Sequence, residues 1–391
     1  MHINNYSENV FQWLEKVSTG RFFVHQLSIL LLLLSWFFVS PAACKFFTHP
    51  LPYAWDTILL KASDLTNNLE HIAPTSWRAK KVFRITIPVI IRLLQVSPAF
   101  IVLMQIVCGY ALYYFSYRLV QRITGDAIQA ILTTSSLAFL YFGRAAWFEF
   151  DAAWFDGFSY FFILMAMYTS SVWGIFLFST MAAWNDERAF MALSIVLLFH
   201  FLSDKGDKKT TFKNLVSLNR QALAAAAAIL AYILLRGFLS VYYHMHTPKD
   251  GANLDVLIHQ TPNFLPLGAF TFMEGFWLLV LYGLVWVFFK RDYLMLFLLL
   301  APILVLGMVA GCVTDITRSG SFMLPLVFVF IRYPGYFFRQ SQMRSLLFSC
   351  FAITFLFPPV FVCLDWGAAN WYFSPFLFKK ILLLFGTFLS A

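Results

Sequence analysis

Long apolar segments alternate with short polar ones along almost the whole chain. One run without any charged residue begins at Leu27 and continues to Val39, broken only by Ser28 and Ser35, and similar blocks recur toward the C-terminal region. A membrane-crossing helix needs roughly 20 apolar residues, and continuous runs do not fit the alternating pattern of a membrane β-barrel strand. The pattern therefore predicts an all-α fold, a polytopic transmembrane helical bundle with about 10–12 membrane helices, short broken ones included.

The predicted organisation is a cytoplasmic N-terminal tip at residues 1–21 followed by a single membrane domain at residues 22–391. Residues 45–98 form an outward amphiphilic loop, in which stretches 55–69 and 77–94 have the spacing of interfacial helices. The tail from Pro375 is expected to re-enter the membrane or lie on its surface. The predicted crossings are 22–44, 99–117, 127–143, a divided block at 157–184, 222–243, 266–289, 293–312, 319–331 and 345–364.

The apolar block between Asp156 and Asp186 decides the orientation of the middle of the chain. It has about 29 residues, more than one untilted crossing needs. The next polar loop, residues 204–220, is rich in lysine and is therefore expected in the cytoplasm. Two short crossings joined near residues 169–171 satisfy this rule and place the charged segment 185–188 outside. A single crossing is the alternative, and it would place the lysine-rich loop outside.

Composition supports the membrane assignment and limits the functional classes. Only 12% of the residues are charged and 60% are hydrophobic, whereas a soluble domain carries about 25% charged residues. The net charge of +9 comes from basic clusters at the ends of predicted spans, which suit topology signals and lipid headgroups rather than nucleic acid. The expected location is a multi-pass position in a membrane, specifically a bacterial inner membrane.

Seven charged residues are candidates for chemistry because the predicted topology places all of them on the outward face. An outward carboxylate can act as a general base, and arginines suit a phosphate group because they donate two parallel hydrogen bonds. The plain alternatives remain open: helix-start caps, local ion pairs and contacts with bulk headgroups. The candidates are Asp56, Arg84, Asp156, Glu187, Arg188, Asp315 and Arg318.

Metal and cofactor signals are weak. His244, His246 and His259 lie in one polar loop, but a His-x-His spacing is common in loops and predicts no zinc geometry. The five cysteines lie in or beside apolar runs without a CxxC spacing, so we interpret them as core residues. No cofactor is predicted, although a divalent metal remains compatible with the outward acids.

Four features together give the chain a likeness to a known family. An early acid follows the first span, a basic–proline segment enters the next helix, an outward acid opens a helix that ends in a basic loop, and a late Asp-x-x-Arg precedes a short helix. These features lie at Asp56, at residues 83–94, at residues 187–209 and at Asp315 with Arg318. Over residues 22–330 the outline resembles the polytopic glycosyltransferases of the GT-C superfamily.

The resemblance implies an inverting sugar transfer from a polyprenyl-phosphate-linked donor to a glycan, lipid or protein acceptor on the outer face. Asp56 would be the catalytic base, although it is followed by Thr57 and not by the second acid that many members carry. Arg84 and Arg318 would neutralise the departing phosphate, and Asp156 and Glu187 would line the sugar pocket. Arg188 and Asp315 complete the expected substrate-binding set, and membrane lipids are the remaining partners.

A transporter or flippase of a lipid-linked or amphipathic solute is the alternative, because discontinuous helices also mark transporter sites. A transporter should place ionisable residues near the middle of its spans as well as at one face. The predicted span centres carry almost none, with Arg236 as the nearest exception. This distribution favours chemistry at one interface. A non-catalytic assembly subunit is a third possibility.

Overall fold

The described part of the chain is almost entirely helical, which confirms the all-α prediction at that level. The computed structural model describes residues 11–39, 53–73, 76, 78–147, 150, 152–204, 210, 217–247, 254–260, 265–333, 338–357, 360–363 and 368–371. The predicted tail from Pro375 and the lysines of the 204–220 loop lie outside these residues.

In the segment predicted to be amphiphilic, residues 45–98, the helices of the N-terminal half are shorter than expected. The predicted outward loop, residues 45–98, contains one 11-residue helix, a 3₁₀ turn at Ala79–Lys81 and one 9-residue helix among its described residues, instead of two long interfacial helices. The helices are α1 (Phe11–Ser18), α2 (Phe23–Val39), α3 (Tyr53–Ser63), α4 (Thr86–Leu94), α5 (Pro98–Thr124), α6 (Ala127–Leu137) and α7 (Tyr141–Arg144).

Local sequence explains the boundaries of α5, the longest helix described. The Ser97 hydroxyl accepts a hydrogen bond from the Phe100 amide, and Pro98 occupies the first turn, where no amide hydrogen is needed. Gly125 ends the helix with a φ of 68°, a conformation that glycine adopts without strain. Asp126 then starts α6 by accepting hydrogen bonds from the Ile128 and Gln129 amides.

The block between Asp156 and Asp186 is divided, as predicted. Helix α8 (Asp156–Tyr168) and helix α9 (Val172–Asn185) are separated by residues 169–171. The Thr169 hydroxyl accepts from the Ser171 amide, and the Ser171 hydroxyl accepts from the Gly174 amide, so these side chains replace helical hydrogen bonds. Asn185 donates to the Phe155 carbonyl at 2.7 Å, which shows that the two helices form an antiparallel hairpin.

The C-terminal half contains two breaks that the sequence analysis did not predict. The predicted span 266–289 consists of two helices bent by 91°, and the predicted span 319–331 is a 3₁₀ turn at Ser321–Met323 followed by a short helix. The helices are α10 (Glu187–Phe201), α11 (Arg220–Tyr242), α12 (Leu254–Gln260), α13 (Leu265–Thr271), α14 (Phe276–Phe289), α15 (Tyr293–Gly311), α16 (Ile316–Gly320), α17 (Leu326–Arg332) and α18 (Gln340–Leu356). A further 3₁₀ turn, Leu202–Asp204, follows α10.

A two-stranded hairpin follows α18. Strands β1 (Val360–Cys363) and β2 (Ala368–Trp371) pair antiparallel, with Val360 opposite Trp371. The predicted span 345–364 is therefore wrong at its end, because the helix stops at Leu356. The Thr317 hydroxyl accepts a hydrogen bond from the Val362 amide at 2.9 Å, which fastens the hairpin beside α16.

Three of the described helices, α5, α11 and α15, are long and apolar enough to cross a membrane. Two bent pairs, α1 with α2 and α13 with α14, raise that number to five if each pair is one span. The chain therefore has helices compatible with a membrane protein, while the larger predicted number of about 10–12 stays a prediction. The α8–α9 hairpin packs against α5, α10 and α11, and this packing positions the site described next.

Candidate functional site: a buried charge cluster

Seven charged side chains meet where the ends of several helices converge. They come from the start of α8, the α9–α10 junction, the start of α16 and the segment before α4. The structure brings together six of the seven candidates predicted from the sequence and adds Asp186. We call the set the charge cluster: Arg84, Asp156, Asp186, Glu187, Arg188, Asp315 and Arg318.

Asp186 lies at the centre of the cluster. Its side chain is 1% exposed and caps α10 by accepting a hydrogen bond from the Arg188 amide at 2.9 Å. The Arg188 guanidinium donates to both Asp186 oxygens, each at 2.8 Å. Arg84 contacts the same carboxylate at 3.1 Å. Asp186 is thus both the cap of α10 and the bidentate partner of Arg188.

Asp156 links the hairpin to α16. Arg318 donates from Nε to one Asp156 oxygen and from Nη2 to the other, the second at 2.9 Å. The Tyr141 hydroxyl donates to Asp156 at 2.8 Å. The Arg318 guanidinium also lies 3.8 Å from the centroid of the Trp154 ring, a cation–π arrangement. A fully partnered carboxylate and a stacked guanidinium make this part of the cluster rigid.

Asp315 joins both inner arginines. It accepts from Arg318 Nη1 at 3.0 Å and from Arg188 Nη1 at 3.3 Å. The predicted Asp315–Arg318 pair is confirmed. Ser319 donates to Asp315 at 3.1 Å and accepts from Arg188 at 2.9 Å. Helix α16 and its N-cap Asp315 therefore place a carboxylate, a guanidinium and a hydroxyl on one face.

On the side of the cluster nearest to solvent, the Glu187 carboxylate is held more loosely than the acids of the interior. Glu187 lies 3.7 Å from Arg84 and 3.7 Å from Arg236, a residue of α11. These side chains are 16% (Arg84), 25% (Glu187) and 27% (Arg236) exposed. Among the described residues, neither Arg84 Nε nor Glu187 Oε1 has a hydrogen-bond partner. We call Arg84, Glu187 and Arg236 the exposed edge.

The arginines keep Asp186 and Asp315 ionised. Burial alone would raise the pKa of the Asp186 carboxyl, but the charges of Arg188 and Arg84 hold that pKa below its ordinary value. Burial likewise opposes ionisation of Asp315, and Arg188 and Arg318 outweigh it, so its pKa is also lowered. Asp186 and Asp315 are therefore charged partners of the arginines and not neutral acids.

Lys81 is a buried base beside the cluster. It donates to the Ala152 carbonyl at 2.6 Å and to the Ala153 carbonyl at 3.3 Å. Burial lowers the pKa of Lys81 well below its ordinary value, and the neighbouring charges of Arg84 and Arg318 lower it further. A negative ligand near these arginines would therefore favour protonation of Lys81.

Asp56 is the one predicted site residue that the structure does not place in the cluster. It lies exposed in the first turn of α3. The adjacent Trp55 donates to the Phe150 carbonyl at 2.8 Å, and its ring packs edge-on against Phe155, with 5.5 Å between the centroids. Because Phe155 precedes Asp156, α3 lies beside the segment that leads into the cluster, with Asp56 on its solvent side.

The described residues contain no group of three or more His, Cys, Asp or Glu side chains able to hold a metal ion. His244 and His246 are described, whereas the side chain of His259 lies outside the described set. Each acid of the charge cluster faces guanidinium groups, so a divalent cation there would be repelled at short range.

Three charged residues in or beside the charge cluster, Asp186, Arg236 and Lys81, are not among the candidates predicted from the sequence. Asp186 lay in the charged segment 185–188 and could have been selected as an N-cap before an apolar helix. Arg236 lies within a predicted span, and Lys81 is one of several basic residues of the 45–98 segment. Nothing in their local sequence indicates that α11 brings Arg236 to Glu187, or that the 3₁₀ turn brings Lys81 to the segment before α8.

No protein-family model, curated protein or solved structure matches the chain.

Proposed function

We propose that the chain is an integral membrane glycosyltransferase that transfers a sugar from a polyprenyl-phosphate-linked donor to an acceptor on the outer face of the membrane. The exposed edge carries this proposal. Two guanidinium groups, Arg84 and Arg236, lie on either side of one loosely held carboxylate, at 3.7 Å each. A phosphate can take the place of that carboxylate and receive the bidentate hydrogen bonds that arginine provides.

The interior of the cluster supports a positioning role. Arg318 is buried and committed to Asp156 and Asp315, so it is less suited to direct phosphate contact than the sequence analysis expected. In the proposal Arg84 and Arg236 contact the phosphate, while Arg188, Arg318 and their acids hold the edge in place. Preorganised cations of this kind stabilise the negative charge that develops on a leaving phosphate.

The proposed reaction is a single displacement. Asp56 accepts the proton of an acceptor hydroxyl, and the acceptor oxygen forms a bond to the anomeric carbon of the sugar. The bond between that carbon and the phosphate oxygen breaks, and its electron pair leaves with the polyprenyl phosphate. The exposed position of Asp56, on a helix packed beside the cluster, is compatible with an acceptor that arrives from water.

Release of polyprenyl phosphate tests the proposal without knowledge of the acceptor, because water can take the place of the acceptor hydroxyl, so that the sugar leaves as free hexose. The protein is reconstituted in liposomes with a panel of polyprenyl-phosphate-linked hexoses, and free polyprenyl phosphate is measured over time. Asp56→Asn should abolish release, and Glu70→Gln, which alters another exposed acid of the same loop, should not. Full activity of Asp56→Asn would refute the assignment of the base.

Donor binding is tested separately. Polyprenyl phosphate should raise the melting temperature of the wild-type protein and of Arg92→Gln, which removes an exposed arginine of α4. The same ligand should have little effect on Arg84→Gln, because a lost charge-assisted contact costs about 1.5–3 kcal/mol, a factor of ten or more in affinity. Equal stabilisation of both variants would contradict the proposed phosphate site.

A transporter of a lipid-linked solute is the second candidate, and one observation favours it. Glu274 lies in the break between α13 and α14, is 3% exposed, and has an oxygen without a hydrogen-bond partner among the described residues. Buried acids at helix breaks are typical of transport pathways. The test follows a fluorescent lipid-linked sugar across the liposome membrane. Transport is favoured over transfer if the wild type moves this lipid without releasing polyprenyl phosphate and Glu274→Gln does not move it.

A further inference from the structure

Helix α1 meets α2 at a sharp bend. The two helices are bent by 112°, and the turn between them is closed by a hydrogen bond from the Phe23 amide to the Gly20 carbonyl at 3.0 Å. Helix α2 has 17 residues, enough to cross a membrane without a contribution from α1. With α2 as a crossing, α1 therefore runs close to the plane of the membrane surface.

Ring contacts place this bend at the opposite end of the bundle from the charge cluster. The Phe23 ring packs edge-on against Tyr117 of α5, with 6.1 Å between the centroids. Further along α5, the Arg122 guanidinium lies 4.7 Å from the centroid of the Tyr168 ring, at the end of α8. Asp156, which belongs to the charge cluster, begins α8. The length of α8 therefore separates the two places, and the sequence predicts the end with the bend to be cytoplasmic.

One face of α1 is fixed to the protein. The Phe11 ring packs edge-on against Phe348 of α18, with 6.2 Å between the centroids. One turn further, the Glu15 carboxylate accepts a hydrogen bond from Arg344 at 2.7 Å. Leu14 lies on the same face and packs against the hydrophobic core. The acid of α1 is thus paired on the inner side, and these contacts set which face of the helix points away from the protein.

The opposite face of α1 carries aromatic, apolar and basic side chains and is exposed. Trp13 and Val17 are 61% and 38% exposed, and Lys16 beside them is exposed too. These three residues share one face because helical residues three and four apart are neighbours; we call them the outer face of α1. Arg21 and Phe22 in the following turn are also exposed, and the Arg21 guanidinium lies 5.5 Å from the centroid of the Phe22 ring.

This combination of side chains fits the boundary between lipid headgroups and acyl chains. Tryptophan is enriched at that boundary, and each lysine or arginine near an anionic membrane surface strengthens the contact about fivefold. Beyond the turn, the exposed side chains of α2 include Ile29, Leu30 and Leu33, as expected of a helix side that faces acyl chains. The aromatic and basic residues therefore lie where an apolar exposed surface ends.

We propose that the outer face of α1, together with Arg21 and Phe22, binds the anionic phospholipid surface of the leaflet at this end of the bundle. The aromatic and apolar side chains enter the headgroup–acyl boundary, and Lys16 and Arg21 contact lipid phosphates. Helix α1 is then an interfacial helix and not a part of a crossing. The contact is independent of the proposed transfer reaction, because it lies at the other end of the bundle from the charge cluster.

A fluorescent probe at residue 17 tests the proposal in the whole chain. Val17→Cys, in a cysteine-free background, is labelled with the polarity-sensitive dye NBD and reconstituted in phosphatidylcholine nanodiscs with or without phosphatidylglycerol. We expect blue-shifted emission in the nanodiscs that contain phosphatidylglycerol, and stronger quenching by a lipid nitroxide near the headgroup than by one at the end of an acyl chain. High salt should partly reverse both effects, because it screens the lipid phosphates.

Charge variants decide whether anionic lipid is the partner. Lys16→Gln and Arg21→Gln should each lower the ratio of membrane-bound to water-exposed probe about fivefold. Both residues are exposed, so the variants should fold. Arg92→Gln is the matched control, because Arg92 is an exposed arginine of α4 outside this surface. Equal quenching with and without phosphatidylglycerol would overturn the assignment to anionic lipid. A probe that stays in water in both nanodiscs would overturn the membrane contact and leave the outer face to another protein.

Discussion

Replacement of Asp186 by Asn tests whether the charge cluster is a dry, mutually dependent set of charges. The two side chains have nearly the same shape, and Asn is as good an N-cap as Asp, so the start of α10 should survive. The substitution removes only the negative charge that both Arg188 and Arg84 contact, at 2.8 and 3.1 Å. The measured cost therefore reports electrostatics more than helix formation.

The expected magnitude follows from burial. Removal of one partner from a buried ion pair costs about 3–5 kcal/mol, because the remaining charge is left without compensation. Arg188 keeps its contacts with Asp315 and Asp156, so we expect the lower end, about 3 kcal/mol. Free energies of unfolding from SDS titration in mixed micelles measure this cost, and Glu70→Gln, at an exposed acid, should stay within about 0.5 kcal/mol of wild type.

A double variant isolates the interaction between Arg84 and Asp186 from the effects of each substitution alone. Arg84→Gln in the Asp186→Asn protein should cost less than Arg84→Gln alone, with a coupling of about 1 kcal/mol. A cost below about 1 kcal/mol for Asp186→Asn, the value of a solvent-exposed pair, together with zero coupling, would refute the reasoning. The cluster would then be hydrated, and its arginines would be poorly placed to hold a phosphate.

Three further outcomes can be measured on the same preparation. The pKa of Asp315 is lower in the folded protein than in the unfolded chain, where it is about 4. The carboxylate therefore stabilises the fold fully above about pH 4, and this contribution is lost as the pH falls through the folded pKa. Asp315→Asn should accordingly show a smaller drop in melting temperature below about pH 4 than the wild type. Gly275→Ala should destabilise the protein by about 1–3 kcal/mol or more, because the added Cβ would lie 2.0 Å from a backbone carbonyl oxygen of α18. Its control, Gly237→Ala, meets nothing within 4 Å and should be neutral or stabilising; equal effects of the two would contradict the packing. The divided-block topology places the exposed residues Ser170 and Ser63 on opposite sides of the membrane. In a cysteine-free background, Ser170→Cys and Ser63→Cys should therefore react with an impermeant maleimide added to opposite sides. Labelling of both variants from the same side would refute this topology.

Local sequence was sufficient for the α8–α9 hairpin and for several members of the cluster. The Thr169–Ser171 segment carries side chains that compete with helical hydrogen bonds, and the lysine-rich loop after α10 demands an even number of crossings before it. The same logic placed Asp156, Glu187 and the Asp315–Arg318 pair at helix starts. These conclusions depend on neighbours within a few residues or on counting, so no knowledge of packing was needed.

Sequence alone determined the all-α fold class, the positions of many helices and the identity of most charges at their ends. Tertiary structure alone decided which charges meet, because Asp156 and Arg318 are 162 residues apart and only helix packing brings them together. It also decided that Asp186 is central, that Arg236 faces Glu187, and that α13 and α14 are bent at Glu274. The physical reason is that periodicity encodes which face of a helix is apolar, whereas the partner of a buried charge depends on how that face packs against helices distant in sequence.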